Sequence, residues 1–243
     1  MQQEKKSFQV AGIDGTKQGW VVARGRWEDG KWYRLRAQLV SKLADAIDPN
    51  ISCYAIDMPM GFMPTAQPGG RQAEREARQL LTGKASTLFS SPCRPVLSAK
   101  DYPHALALSK QSSPHRIGLS KQSYHLLPKI RELDTLLRTQ TDLRERFYEV
   151  HPELCFRAMC PERSLPSSKH SGDGLHMRRR RLARQGIHVD RYPKLFIRAA
   201  KEDDCLDAVA CLWTAARIVT GTAVHVPEEI PTDEHGIRMA LYY

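Results

Sequence analysis

No two cysteines in this chain are spaced Cys-x-x-Cys, although six are present: Cys53, Cys93, Cys155, Cys160, Cys205 and Cys211. That spacing supports neither a zinc site nor a disulfide framework, and several of the six sit in apolar runs, where a free thiol behaves as a small hydrophobe. Long apolar runs are also missing, so no segment reaches the length of a membrane span. The opening Met-Gln-Gln-Glu-Lys-Lys-Ser has no apolar signal region, and the expected location is cytoplasmic. Aromatic residues amount to only 7%, few for a base-stacking platform, which usually interleaves them with basic residues. Gly83-Lys84 lacks the upstream glycine of a Walker loop.

What is present is a basic, foldable chain. Its 37 Lys and Arg against 27 Asp and Glu give a net charge of +10, which favours polyanionic partners such as nucleic acid, DNA or RNA, through phosphate contacts and counterion release. Hydrophobic residues at 41% supply a core. A length of 243 residues suits one domain, 1–243, carrying a substantial insertion.

The order of elements is legible. Ser7 to Ile13, Trp20 to Trp27 and Trp32 to Val40 read as three antiparallel strands, with Asp29-Gly30 between the last two as a hairpin signal. Lys42 to Ile47 reads as a short helix, and Cys53 to Ile56 as a buried strand beside the first. Residues 62–145 read as a largely helical insertion, with Arg71 to Leu81, Tyr102 to Lys110 and Lys121 to Arg138 as its helices. Phe147 to Val150 is a further strand, and Pro152 to Met159 begins a helix. A very basic helix over His176 to Gln185 and a long apolar one from Asp203 to Gly221 follow.

Acids fall at telling places on this plan. Asp14 and Asp57 each follow a short apolar strand, so parallel pairing of those strands brings the two carboxylates together at one sheet edge. Asp204 and Asp207 share a helix face three residues apart. Glu149 ends a strand, whereas Glu153 follows Pro152 in a first turn, where acids serve as caps. Converging carboxylates repel one another unless a cation lies between them, which is how metal-dependent phosphodiester hydrolases are built. The candidate catalytic residues are Asp14, Asp57, Glu149, Asp204 and Asp207. Asp14, Asp57, Asp204 and Asp207 are the candidate ligands of Mg2+ or Mn2+, hard ions suited to oxygen donors. Lys169, Arg178, Arg179 and Arg181, in and before the basic helix, are candidate contacts to nucleic-acid phosphates. His151, beside a proline, reads as structural rather than as a general acid.

Taken in order, Gly12-Ile13-Asp14-Gly15, Ala55-Ile56-Asp57-Met58-Pro59-Met60-Gly61, Glu149-Val150-His151-Pro152-Glu153 and Asp203-Asp204-Cys205-Leu206-Asp207-Ala208 resemble the motifs of the predicted RNase H-like nucleases, the domain of unknown function 429. The resemblance implies a ribonuclease H-like fold of the α/β class. That fold is a five-stranded mixed sheet, three antiparallel strands then parallel ones, with helices on both faces and here a helical insertion. It implies a metal-dependent nuclease, a hydrolase. The late Asp-x-x-Asp-Ala is similar to the final helix of Holliday-junction resolvases, which implies metal-ligand roles for Asp204 and Asp207.

Two other readings stay open at this stage. Gly12 to Thr16 is also similar to the first phosphate motif of the sugar-kinase and actin group, which would make the chain an ATP-dependent phosphotransferase. A second such loop and a glycine-rich adenosine site are missing. Alternatively, the acids serve as caps and ion pairs in a non-catalytic nucleic-acid-binding protein.

Overall fold

A computed structural model describes residues 6–161, 168 and 171–243. In chain order the elements are β1 (Ser7–Thr16), β2 (Gly19–Glu28), β3 (Lys31–Val40), β4 (Cys53–Asp57), α1 (Gln72–Leu80), α2 (Tyr102–Ser112) and α3 (Lys121–Thr139). They are followed by β5 (Phe147–Glu149), α4 (Pro152–Ala158), α5 (Gly172–Arg184), α6 (Glu202–Val219), β6 (His225–Val226) and β7 (Leu241–Tyr242). The described residues form two compact units. One holds the chain up to Asp57, Arg146–Val224 and Tyr242–Tyr243; the other holds Met58–Glu145 and His225–Leu241.

The first unit carries a five-stranded mixed sheet in the order β3-β2-β1-β4-β5, the ribonuclease H-like arrangement. β1 pairs antiparallel with β2 and parallel with β4, while β2 pairs antiparallel with β3 and β4 parallel with β5. Between β2 and β3 the chain reverses over Asp29 and Gly30, at φ 47° and 82°. Positive φ at both central positions makes the two-residue turn whose twist matches that of the strands it joins, and Asp-Gly adopts it at low steric cost. Trp27 and Trp32 face each other across it as an edge-to-face pair with centroids 5.0 Å apart.

β1 runs further than its sequence predicts. Asp14 and Gly15 stay inside the strand, opposite Val21 and Trp20, and the chain turns only at Lys17-Gln18. Thr16 Oγ1 accepts the Gln18 N–H there, at 3.2 Å. Gly19 takes φ +141°, and a side chain on it would meet the Val40 carbonyl. Asp14 is therefore fixed by pairing on both sides of its strand.

The central strands are buried on both faces: Val10, Ala11, Ile13, Val21, Val22, Ala23, Ala55 and Ile56 expose no surface. α6 packs on β1, β4 and β2, with α4 and α5 against it, and buries nearly its whole circumference between Asp203 and Ala216. Each fully buried aliphatic side chain contributes on the order of 2 kcal/mol, so this one helix anchors much of the unit. At the β1–α6 contact there is no room for a side chain. A Cβ on Gly12 would lie 2.0 Å from the Leu212 nitrogen and 2.1 Å from the Ala208 oxygen. The predicted helix over Lys42 to Ile47 is a single 3-10 turn, Leu43–Ala46, that packs on β2 and β3.

The second unit contains α1, α2 and α3 with a C-terminal segment. Its polar groups are tied internally. Arg71 and Glu74 are buried, with Arg71 Nε 2.8 Å from Glu74 Oε1 at the head of α1. Arg94 bridges Asp134, at 2.6 Å, and Asp233.

Candidate functional site

Strand register decides which acids meet. Asp14 and Asp57 are direct partners in the parallel β1–β4 ladder, so both carboxylates leave the same face of the sheet at neighbouring positions. That face is the one α6 covers, because Gly12, two residues before Asp14 on the same side of the strand, abuts the backbone of Ala208 to Leu212. On α6 the residues one turn before Ala208 and Cys211 are Asp204 and Asp207, so both continue the sheet-facing stripe toward the helix N-terminus. Asp207 is 2% exposed and Asp14 6%, while Asp57 and Asp204 are half-buried.

The electrostatics of nearby thiols report the same grouping. Burial pushes the Cys155 thiol up to about 12, helped by the charges of Asp57 and Asp207. Cys211 is raised well above its ordinary value by burial, with Asp57, Asp14 and Asp207 adding to the effect. Cys205 is raised by burial, then by Asp204, Asp14 and Asp203. All three thiols are therefore protonated at neutral pH, and the donor set in this region is carboxylate oxygen.

Glu149 lies elsewhere. Its partner in the β4–β5 ladder is Ile56, and successive residues on β4 alternate sides, so the pleat turns Glu149 to the face opposite Asp57. It is buried at 4% exposure. The sequence placed Glu149 at the end of a strand correctly, but a one-residue difference in register sets it apart from the other four acids.

Among the described residues, no three His, Cys, Asp or Glu side chains stand close enough together to hold one metal ion. The adjoining pair Asp14 and Asp57 nevertheless fits a hydrated hard cation, since Mg2+ is held through one or two carboxylates and keeps several waters.

The basic helix departs most from its sequence reading. Arg178 is fully buried: its Nη2 lies 2.5 Å from Glu153 Oε1, its Nη1 donates to the Gly174 carbonyl, and its guanidinium stacks over Phe156. Arg181 is 4% exposed and donates to the Phe156 carbonyl at 2.5 Å. Arg179 is held between Glu202, at 2.9 Å, and Asp190, over the Phe196 ring. The expected phosphate contacts through Arg178 and Arg181 are thereby corrected, since neither guanidinium reaches the surface. Arg179 reaches it already engaged by two carboxylates. Lys169 lies outside the described residues.

Two roles were not read from the sequence. Glu153 was expected to cap α4, but it is buried as the counter-ion of Arg178. Which of the four consecutive arginines turn inward, here Arg178 and Arg181, depends on how α5 packs, and nothing local marks them. Gly12 was quoted only as part of a motif, yet it sets the approach of α6. Its one signal was a glycine inside an otherwise apolar strand. His151 is buried, and its carbonyl accepts the Leu154 and Cys155 N–H groups at the start of α4.

Among the described residues, no helix is long and apolar enough to cross a membrane. No curated protein and no solved structure matches the chain. One family profile does, over residues 12–232, which take in all four acidic motifs. The chain belongs to that family, described as "Protein of unknown function (DUF429)".

Proposed function

We propose that this protein is a metal-dependent phosphodiester hydrolase, a nuclease using Mg2+ or Mn2+ held at the Asp14–Asp57 edge. The observation that carries this reading is the lateral pairing of those two aspartates on the face covered by α6, where Asp204 and Asp207 continue the same stripe. Two carboxylates fixed side by side on strands are costly unless a cation offsets their repulsion. The protonated thiols around them leave hard oxygen donors, which suit Mg2+ or Mn2+ rather than zinc.

In this reading Asp14 and Asp57 would hold the ion, and Asp207, buried on the helix that covers this face, would add negative charge to the region without coordinating it. A divalent cation bound there supplies positive charge against the negative charge that builds up on a phosphate during hydrolysis. The reaction adds the oxygen of a water to phosphorus and breaks one ester P–O bond, with the water's proton passing to a carboxylate and the leaving oxygen taking up another. Asp204, half-buried in the first turn of α6, is the carboxylate placed to exchange that proton with solvent. The net charge of +10 favours a polyanionic substrate, DNA or RNA.

The test is calorimetric titration of Mn2+ into the wild-type protein and into the Asp14→Asn/Asp57→Asn variant, followed by a cleavage screen on the same samples. Saturable Mn2+ binding that disappears in the variant, together with metal-dependent cleavage of a nucleic acid, is the expected result. Equal heats in both proteins would remove the metal site and the nuclease with it.

A further inference from the structure

A second polar site lies in the other unit. The 3-10 turn Arg94–Ser98 packs against α3 and leaves a cavity of about 380 Å³ lined by Arg94, Ser98, Arg131, Asp134, Thr135 and Arg138. The α3 residues are spaced three and four apart, which puts all of them on one helical face.

The hydrogen bonds here are unevenly used. Asp134 is satisfied on both oxygens, facing Arg94 Nη1 at 2.6 Å and Arg138 Nη1 at 3.5 Å. Arg94 is a structural cation, committed to Asp134 and Asp233 with Glu234 3.7 Å from its Nε. Arg131 is pinned on two of its nitrogens: Nε donates to the Leu97 carbonyl at 2.7 Å and Nη2 to the Ala99 carbonyl at 2.5 Å. Those two bonds fix the plane of the guanidinium and leave Nη1 uncommitted among the described residues. Arg138 is half-exposed and among the described residues its guanidinium faces Asp134, which leaves its other N–H groups uncommitted there too. Thr135 is exposed, and its hydroxyl is also uncommitted among the described residues. The Ser98 hydroxyl spends its proton on the Pro95 carbonyl, at 2.8 Å, and offers only lone pairs.

Asp134, Asp233 and Glu234 offset much of the charge of the lining arginines, so what the cavity offers an anion is the uncommitted donors of Arg131 and Arg138 rather than a large net charge. A preset arginine fork, a second flexible arginine and a threonine hydroxyl one turn away are the donors that a tetrahedral oxyanion takes up. The volume exceeds what a bare phosphate needs and lies at the small end of ligand sites. We infer that this cavity is a binding site for a phosphomonoester. Arg131, Arg138 and Thr135 donate to the phosphate oxygens, and Ser98 accepts from a hydroxyl on the remainder of the molecule. The site shares no residue with the carboxylates of the proposed hydrolase and does not depend on that reading.

The experiment is calorimetric titration at low ionic strength with inorganic phosphate, a nucleoside monophosphate and a single-stranded oligonucleotide. The proteins are the wild type, Arg138→Gln/Thr135→Val and Asp14→Asn/Asp57→Asn. Arg138 and Thr135 are exposed and hold little of the fold, so their double variant remains folded. Expected are saturable binding of phosphate and tighter binding of the monophosphate. Both weaken at least tenfold in Arg138→Gln/Thr135→Val and stay unchanged in Asp14→Asn/Asp57→Asn. An oligonucleotide that displaces the monophosphate makes a nucleic-acid phosphate the natural source; one that does not leaves a small phosphorylated molecule. No saturable binding of phosphate or monophosphate, or binding undiminished in the arginine–threonine variant, overturns the inference whatever becomes of the nuclease.

Discussion

Asp14 and Asp57 are lateral partners in a parallel ladder, two carboxylates on adjoining strands pointing to one face of the sheet. Asp14 is paired on both sides, with Val21 and with Asp57, and Asp57 ends β4 with Asp14 as its ladder partner. The like charges are held together by the fold, and the consequence is open to measurement.

Ion binding at this pair will appear as stability. A cation that binds only the folded state stabilises it by about 2.7 kcal/mol at a hundred times its dissociation constant. Thermal denaturation of the wild type should therefore shift upward with added Mn2+ and return on chelation. Asp57→Asn, which keeps the shape and removes the charge, should lose most of that shift while unfolding near the wild-type temperature in chelator. An equal Mn2+ shift in both proteins would place the ion elsewhere.

Gly12→Ala tests how closely α6 lies on β1. The new methyl would meet backbone atoms of Ala208 and Leu212, which cannot rotate aside as a side chain can. Overpacking of this kind costs about 3 kcal/mol or more. Denaturant unfolding should show a loss of that size, against a change near zero for Gly172→Ala, where nothing lies within 4 Å.

The Glu153–Arg178 pair separates a buried structural arginine from a nucleic-acid contact. Arg178→Ala strands a buried carboxylate and should cost about 3–5 kcal/mol. Replacing both partners with apolar residues, Glu153→Leu/Arg178→Met, should recover most of that loss. Nucleic-acid affinity and its salt dependence should be the same in the recovered double variant as in the wild type. A drop in the salt slope would return Arg178 to the phosphate-contact role.

Cys155 makes stability fall on the alkaline side. Below its ordinary value of 9.0 the thiol is protonated in both the folded and the unfolded chain and adds no pH dependence. Between 9.0 and about 12 the unfolded chain releases that proton while the folded chain keeps it, so rising pH favours unfolding throughout this window. Urea midpoints from pH 8 to 11 should decline for the wild type and decline less for Cys155→Ala. Parallel slopes would mean that the thiol ionises alike in both states.

Much of this molecule follows from its sequence, because the relevant chemistry is local. Asp29-Gly30 can take two positive φ angles in succession and so fixes the β2–β3 hairpin. Alternating and continuous apolar runs set β1 to β5, and a long apolar helix headed by acids sets α6. From these alone the order of the first four strands and the placing of Asp14 and Asp57 at a common edge could be reasoned, while the full five-stranded sheet was implied by the family resemblance. Tertiary structure decided what depends on a partner far along the chain. A one-residue step in the β4–β5 register turned Glu149 to the opposite face. Packing of α5 chose Arg178 and Arg181, of four arginines identical in kind, to be buried, Arg178 against Glu153, 25 residues before it. Side-chain direction alternates with every residue of a strand and rotates with every residue of a helix. The identity of a residue therefore states what it can do, and only the packed neighbours settle which way it faces.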